Sequence, residues 1–348
     1  MKQIGTCGFI AITVICSLLF AAGCGGFSKE TAKTEDQPQQ TAKTKVEAEQ
    51  EKPPEKLTLK FVPGDSATYK VILETSKSVQ WEGTQSRPKG FKGGNTGNKM
   101  EMTFDQDIET VNDEGNAAAK ITIKALKYLT KVKDNIVLDF DSSRKKDRSS
   151  PLSGLVGQSY TIEITPSGQV SRIIDTSDAL SAVKGDAPAN RTAVGLLSTD
   201  TIKERHTIPT LPTADKNQLR TGENWSNIKS ISFDMMGAKT YERVYTLKEV
   251  KDVGNRRVAV AEMNAFPSAE KAKELDTQQA TGPFSNMFDN TETYTGKLRL
   301  DLTDGKIEEC SEKLLTEWFI VDPNPKNEEE PAALRLAATR LYSIEKID

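Results

Sequence analysis

The chain has 348 residues, of which 36% are hydrophobic, 28% charged and only 6% aromatic, enough for one large domain or two of ordinary size. Its 47 basic and 50 acidic side chains leave a net charge of -3, which excludes a nucleic-acid binder working through a strong positive field. A single histidine excludes His-rich metal sites and multi-histidine catalysis.

In chain order, Lys2 precedes an uncharged apolar run from Gly8 to Ala22. That run is short of the roughly 20 residues a spanning helix needs and suits the core of a signal peptide. It closes on Ala21-Ala22-Gly23-Cys24, which resembles the bacterial lipoprotein box. The resemblance implies that residues 1–23 are removed and that Cys24 becomes an N-terminus carrying diacylglycerol and a further acyl chain. Three buried acyl chains, at about 0.8 kcal/mol per methylene, would hold the protein on its bilayer essentially permanently. Gly25 stands where inner-membrane lipoproteins commonly carry Asp, so the resemblance implies an outer-membrane address facing the periplasm. With Cys7 and Cys16 lost and Cys24 acylated, Cys310 is left alone and no internal disulfide is expected; it reads as a half-buried strand residue.

Residues 24–56 hold the tetrapeptide Thr-Ala-Lys-Thr at 31–34 and again at 41–44, with lysines and acids that nearly cancel. Such a segment cannot bury enough apolar surface to offset its ordering entropy, so a disordered tether is expected. It would reach roughly 30 Å on average and about 110 Å at full stretch. From Leu57 the strand signals are dense: Leu57–Phe61, Thr68–Glu74, Met100–Val111, Ala117–Leu129 and Ile136–Phe140, rich in Val, Ile, Thr and Tyr and separated by turn residues. Gly83–Asn98 reads as a loop. Helical turns are expected at Ser177–Lys184 and Ala269–Gln278, and a short helix at Arg191–Arg205. Thr339–Ile347 reads as a strand returning along Lys313–Val321.

A repeat runs through this body. Val111-x-Asp113-x-Gly115-Asn116 recurs 139 residues later as Val250-x-Asp252-x-Gly254-Asn255, each between alternating runs. Tyr160–Val170, with its Pro-Ser-Gly turn, is echoed by Leu298–Ile307. The expected fold is mainly β: two antiparallel β-meander repeats, as curved sheets or partial barrels, over 57–185 and 222–348. Residues 186–221 form the connector, and the helices are few and short.

The order of Gly64-x-x-x-x-Tyr69, Asp141-Ser142 after a strand, the strand–Pro-Ser-Gly–strand unit and Pro212…Gly222-x-x-Trp225 resembles an uncharacterised family of exported bacterial β-rich proteins. Its members are often lipoproteins. The resemblance covers most of the body and implies a shared fold; it brings no activity with it.

Chemistry-bearing patterns are sparse. His206 sits in a polar connector and reads as a surface residue. Asp139 and Asp141 alternate on a strand, which explains them as one polar face rather than a calcium site. Arg144-Lys-Lys-Asp-Arg148 reads as a solvated loop. No Gly-x-Ser-x-Gly elbow or phosphate-binding loop is present, so no enzyme, metal or cofactor is expected. Trp225, Met235, Met236, Phe284, Met287 and Phe288 are large apolar side chains near sheet edges. Core packing accounts for them; alternatively they line a groove for an apolar ligand. The sequence thus points to a lipid-anchored binding or structural module of the cell envelope, with a carrier of lipid as the alternative. Its one definite partner would be the membrane, through its acyl chains; a further lipid or protein partner stays open.

Overall fold

The computed structural model describes residues 53–82, 92–184, 188–233, 236–268, 270, 289–321 and 333–347. The signal segment, Cys24, residues 25–52 of the expected tether and, apart from Glu270, the expected helix at Ala269–Gln278 lie outside them. The end of the segment expected to be a disordered tether is ordered instead, Glu55 and Lys56 pairing with Leu219 and Gln218. The first strands in chain order are β1 (Glu55–Lys56), β2 (Ser66–Glu82), β3 (Gly94–Val111), β4 (Ala117–Val132) and β5 (Asn135–Asp141). Next come β6 (Ser159–Ile164), β7 (Val170–Asp175) and the helices α1 (Ser177–Ala182), α2 (Pro188–Leu196) and α3 (Thr199–His206). The second half holds β8 (Gln218–Leu219), β9 (Asn224–Ser232), β10 (Ala238–Val253), β11 (Arg256–Pro267), β12 (Asp289–Asp301), β13 (Lys306–Val321) and β14 (Ala333–Lys346).

Period-2 alternation of buried and exposed side chains runs along β2, β4, β6 and β10, as it must in strands with one face on a core. Twelve strands form one antiparallel sheet in the order β7-β6-β4-β3-β2-β14-β13-β12-β11-β10-β9, with β5 pairing the far half of β4. β1 and β8 pair separately. The large sheet is not closed into a barrel: β7 and β9 are its two ends. Two five-stranded meanders, β2-β3-β4-β6-β7 and β9-β10-β11-β12-β13, are joined by β14, which pairs β13 on one side and β2 on the other.

The two meanders share their irregularities, which is stronger evidence of a common plan than shared strands. Gly64 (φ +89°) donates its N–H to Ile108 O at 2.8 Å; Gly222 (φ +90°) donates to Leu247 O at 2.7 Å. Both glycines need the left-handed region that only Gly enters cheaply. Ile108 N–H returns a bond to Asp65 O, and Leu247 N–H to Glu223 O. A β-bulge follows at once in each copy, between Ile108 and Thr110 and between Leu247 and Glu249. A second pair of register shifts lies between Glu163 and Ile164 and between Arg299 and Leu300.

The repeated Asp-x-Gly-Asn tetrapeptide itself closes two different turns. In the first, Val111 pairs with Ala117 and Asn112 Oδ1 accepts from the N–H groups of Glu114 and Asn116. In the second, Val253 pairs with Arg256 across Gly254-Asn255 alone. The strand equivalence after the turn therefore slides, so that Ala117 and Ala119 match Ala259 and Ala261, which face Val250 and Leu247 as their counterparts face Val111 and Ile108.

Three local expectations change. Leu57–Phe61 is extended but pairs with no strand: Leu57 N–H goes to Asn217 O, Leu59 N–H to Pro166 O and Lys60 N–H to Gly305 O, so its partners lie in three different connections. The single helix over 191–205 is two, α2 and α3, with Ser198 capping α3 through Thr201 N–H at 3.3 Å. Of the loop expected over 83–98, residues from Gly94 belong to β3 and 83–91 lie outside the described residues. Ile136–Phe140 falls in β5, Ser177–Lys184 contains α1, and the C-terminal strand returns along β13 as expected.

Candidate functional site

Tyr241, Arg243 and Tyr245 occupy alternate positions on β10, so all three point to the buried face, where β12 and β13 present Tyr294 and Glu312. Arg243 and Glu312 keep only 7% and 3% of their side chains exposed. Arg243 Nη1 donates to both Glu312 carboxylate oxygens, at 2.8 and 2.9 Å. Tyr245 OH donates to Oε1 at 2.7 Å and Tyr294 OH to Oε2 at 2.8 Å, which fills the acceptor capacity of the carboxylate. Burial first, then the Glu312 charge, pushes both phenols well above their ordinary pKa. Burial, the largest single influence, opposes the charge on Arg243, but the Glu312 charge and hydrogen bond together with Tyr245 and Tyr294 outweigh it and raise the guanidinium. Lys229 Nζ stands 4.0 Å from Glu312, and burial pulls its ammonium below the usual lysine range.

Trp225 stacks on Tyr245 with ring centroids 5.3 Å apart, and its Nε1–H donates to Thr210 O at 2.9 Å. Thr210 Oγ1 lies 3.4 Å from Cys310 Sγ. Cys310 is fully buried, more so than its half-buried expectation, and burial pushes its thiol far up. A thiol held protonated this way is inert.

The first half has a polar cluster of different make. Arg205 and His206, at the end of α3, meet Tyr160 of β6. Tyr160 OH lies 2.6 Å from His206 Nε2; Arg205 Nη2 donates to that hydroxyl at 2.8 Å and Arg205 Nε to His206 Nε2 at 3.2 Å. Arg205 Nη1 donates to Leu196 O at 3.1 Å. An arginine only donates, so His206 Nε2 accepts and the imidazole is neutral with its proton on Nδ1. Burial first, then the Arg205 charge, holds the His206 pKa well below its ordinary value. Phe104 meets the imidazole edge-on, ring centroids 4.7 Å apart. The surface position expected for His206 is thus corrected: α3 turns Ile202, Arg205 and His206 inward together.

A family model described as a family of unknown function, DUF6263, matches residues 114–307, more than half of the chain. The chain belongs to that family. No curated protein matches it. The family's stretch runs from the β3–β4 turn to the start of β13, so it holds Tyr160, Arg205, His206, Arg243, Tyr245 and Tyr294, while Glu312 falls just beyond it.

Of the apolar residues singled out in the sequence, Trp225 and Met236 are buried in the core. Met235, Phe284, Met287 and Phe288 lie outside the described residues. Asp139 and Asp141 are occupied locally, Asp139 by Arg144 at 2.9 Å and Asp141 by the Ser143 hydroxyl at 2.7 Å. Arg144 also binds Asp147 at 2.6 Å. Among the described residues no group of three His, Cys, Asp or Glu side chains could hold a metal. The Arg243–Glu312 cluster went unread in the sequence although it left a trace: each residue sits in phase with buried neighbours, Arg243 between Tyr241 and Tyr245 and Glu312 between Cys310 and Leu314. A charge on the apolar phase of a strand signals a buried partner.

Proposed function

We propose that the protein is a non-enzymatic, lipid-anchored module of the cell envelope, a binding or structural protein held through Cys24 to the outer membrane and facing the periplasm. The observation that carries this reading is Ala21-Ala22-Gly23-Cys24 at the end of a short apolar run. Its non-catalytic half draws support from the two buried clusters, in which Glu312 is taken up by Arg243 and two tyrosines and His206 by Tyr160 and Arg205. Among the described residues, the recesses beside these clusters measure about 40 Å³ each, against the roughly 300 Å³ or more of a small-molecule pocket, so neither cluster lines a ligand cavity. Metabolic labelling with palmitate tests the anchor. The wild-type chain is expected to take up label and Cys24→Ser none; an unlabelled wild-type chain overturns the reading. Native mass spectrometry that finds a co-purifying lipid would turn it towards the carrier.

A further inference from the structure

The β4–β5 hairpin at one corner of the sheet has an apolar tip. Val132, Ile136 and Val137 are 44%, 61% and 63% exposed. Ile136 and Val137 are neighbours in a strand, so their side chains leave opposite faces and the tip is apolar on both. Between them and Val132 the turn residues Lys133 and Asp134 hold φ of +50° and +66°, a strained choice for two residues that are not glycine. β3 braces that turn. Asp134 N–H donates to Asn95 O at 2.8 Å, Asn95 Nδ2 to Asp134 Oδ1 at 2.7 Å, and Lys133 N–H to Thr96 Oγ1 at 3.1 Å. The tip is therefore a fixed feature, held in an unfavourable backbone conformation by its neighbour.

Two observations say what meets it. Lys131, Lys133, Lys145, Lys146 and Arg148, on the hairpin and the turn that follows, are exposed and form no ion pair among the described residues. The free edge of β5 is closed near its base, where Arg144 Nη2 binds Asp139 O at 2.8 Å and Asp147 Oδ2 accepts from Asp141 N–H at 2.9 Å. That leaves too little open edge for another strand to add on. An apolar tip flanked by Lys131 and Lys133, with Lys145, Lys146 and Arg148 farther back at the hairpin base, matches an anionic bilayer, the tip entering the interface and the cations meeting phosphate. We propose that the β4–β5 hairpin is a second membrane contact, docking on anionic lipid headgroups and inserting Val132, Ile136 and Val137.

This goes beyond the proposed anchor and draws on it only for proximity. The chain reaches the body at the opposite rim, where Lys60 binds Gly305 O. The hairpin stands one strand length away, about 50 Å for β4, within the roughly 110 Å reach of the tether. The test removes the anchor altogether. The chain from residue 24 onwards with Cys24→Ser, which keeps the whole compact unit, is sedimented with vesicles of phosphatidylglycerol and phosphatidylethanolamine, or of phosphatidylcholine alone. Binding is expected to the first and not the second. It should drop at least tenfold in Ile136→Thr/Val137→Thr, and likewise in Lys131→Gln/Lys133→Gln, which leaves the apolar tip intact. No binding to anionic vesicles, equal binding to both compositions, or binding unmoved by either variant overturns the proposal. Because no acyl chain is present, the outcome is independent of palmitate labelling at Cys24.

Discussion

The two meanders place different chemistry at the same point of the same backbone plan. Four residues before the bulge position Ile108 the first meander has Phe104; four residues before Leu247 the second has Arg243. The first half takes its buried polar groups from α3, and its buried cation, Arg205, rests on neutral acceptors. The second builds them into the sheet, and its buried cation faces a carboxylate. The comparison teaches that glycines and bulges fix the path of the chain while leaving the core free to be apolar or charged.

Making the second half resemble the first should be the most damaging change when done by halves. Arg243→Met is expected to cost about 3–5 kcal/mol in urea denaturation, because it leaves Glu312 buried without its counter-charge. Arg243→Phe/Glu312→Leu should recover more than half of that; a double variant no better than the single would mean that the charge is not what makes the site costly to disturb. The next largest effect concerns the turns where each half receives a lead-in segment. A Cβ at Gly305 (φ +63°) would lie 2.5 Å from Lys60 N, a backbone atom with little room to yield, so Gly305→Ala should cost about 3 kcal/mol. Gly168→Ala, at 2.8 Å from Ile208 Cβ, should follow closely, and both losses would appear as lower denaturation midpoints.

The His206 cluster should make stability depend on pH in the mildly acidic range. Unfolded, His206 takes a proton near pH 6.5, whereas folded it resists one. Stability should then be full above about 6.5 and fall below it by up to about 1.4 kcal/mol per pH unit, since the unfolded state binds the extra proton. His206 is the sole histidine, so His206→Gln should flatten the slope between pH 6.5 and 5; an unchanged slope would remove the imidazole from the account. The smallest effect sharpens the likeness of the halves. Gly64→Ala and Gly222→Ala meet no atom within 4 Å, so each should cost only the left-handed strain, about 1–2 kcal/mol, and the two should agree closely.

Much of the sheet was legible in the sequence. Alternation named the runs that became β2, β4 and β5, and the composition of 339–347 placed the last strand beside β13. The buried sites were not. His206 lies in the polar string Lys203-Glu-Arg-His-Thr, and only the docking of α3 on β6 puts it against Tyr160. Leu57–Phe61 carried a true strand pattern, yet its hydrogen bonds are scattered over three connections, because alternation reports a half-buried extended chain and says nothing of who pairs with it.

By itself the sequence determined that this chain is β-rich, that one plan occurs twice and that glycines stand where the backbone must turn left-handed. Each of these is a local property of a residue and its near neighbours. Only the tertiary structure decided that β14 joins both meanders into a single open sheet, that Glu312 neutralises Arg243 from 69 residues away, and that the turn formed by Lys133 and Asp134 is braced by β3. Those depend on which distant strands share an edge or a face, and short-range pattern carries no information about that choice.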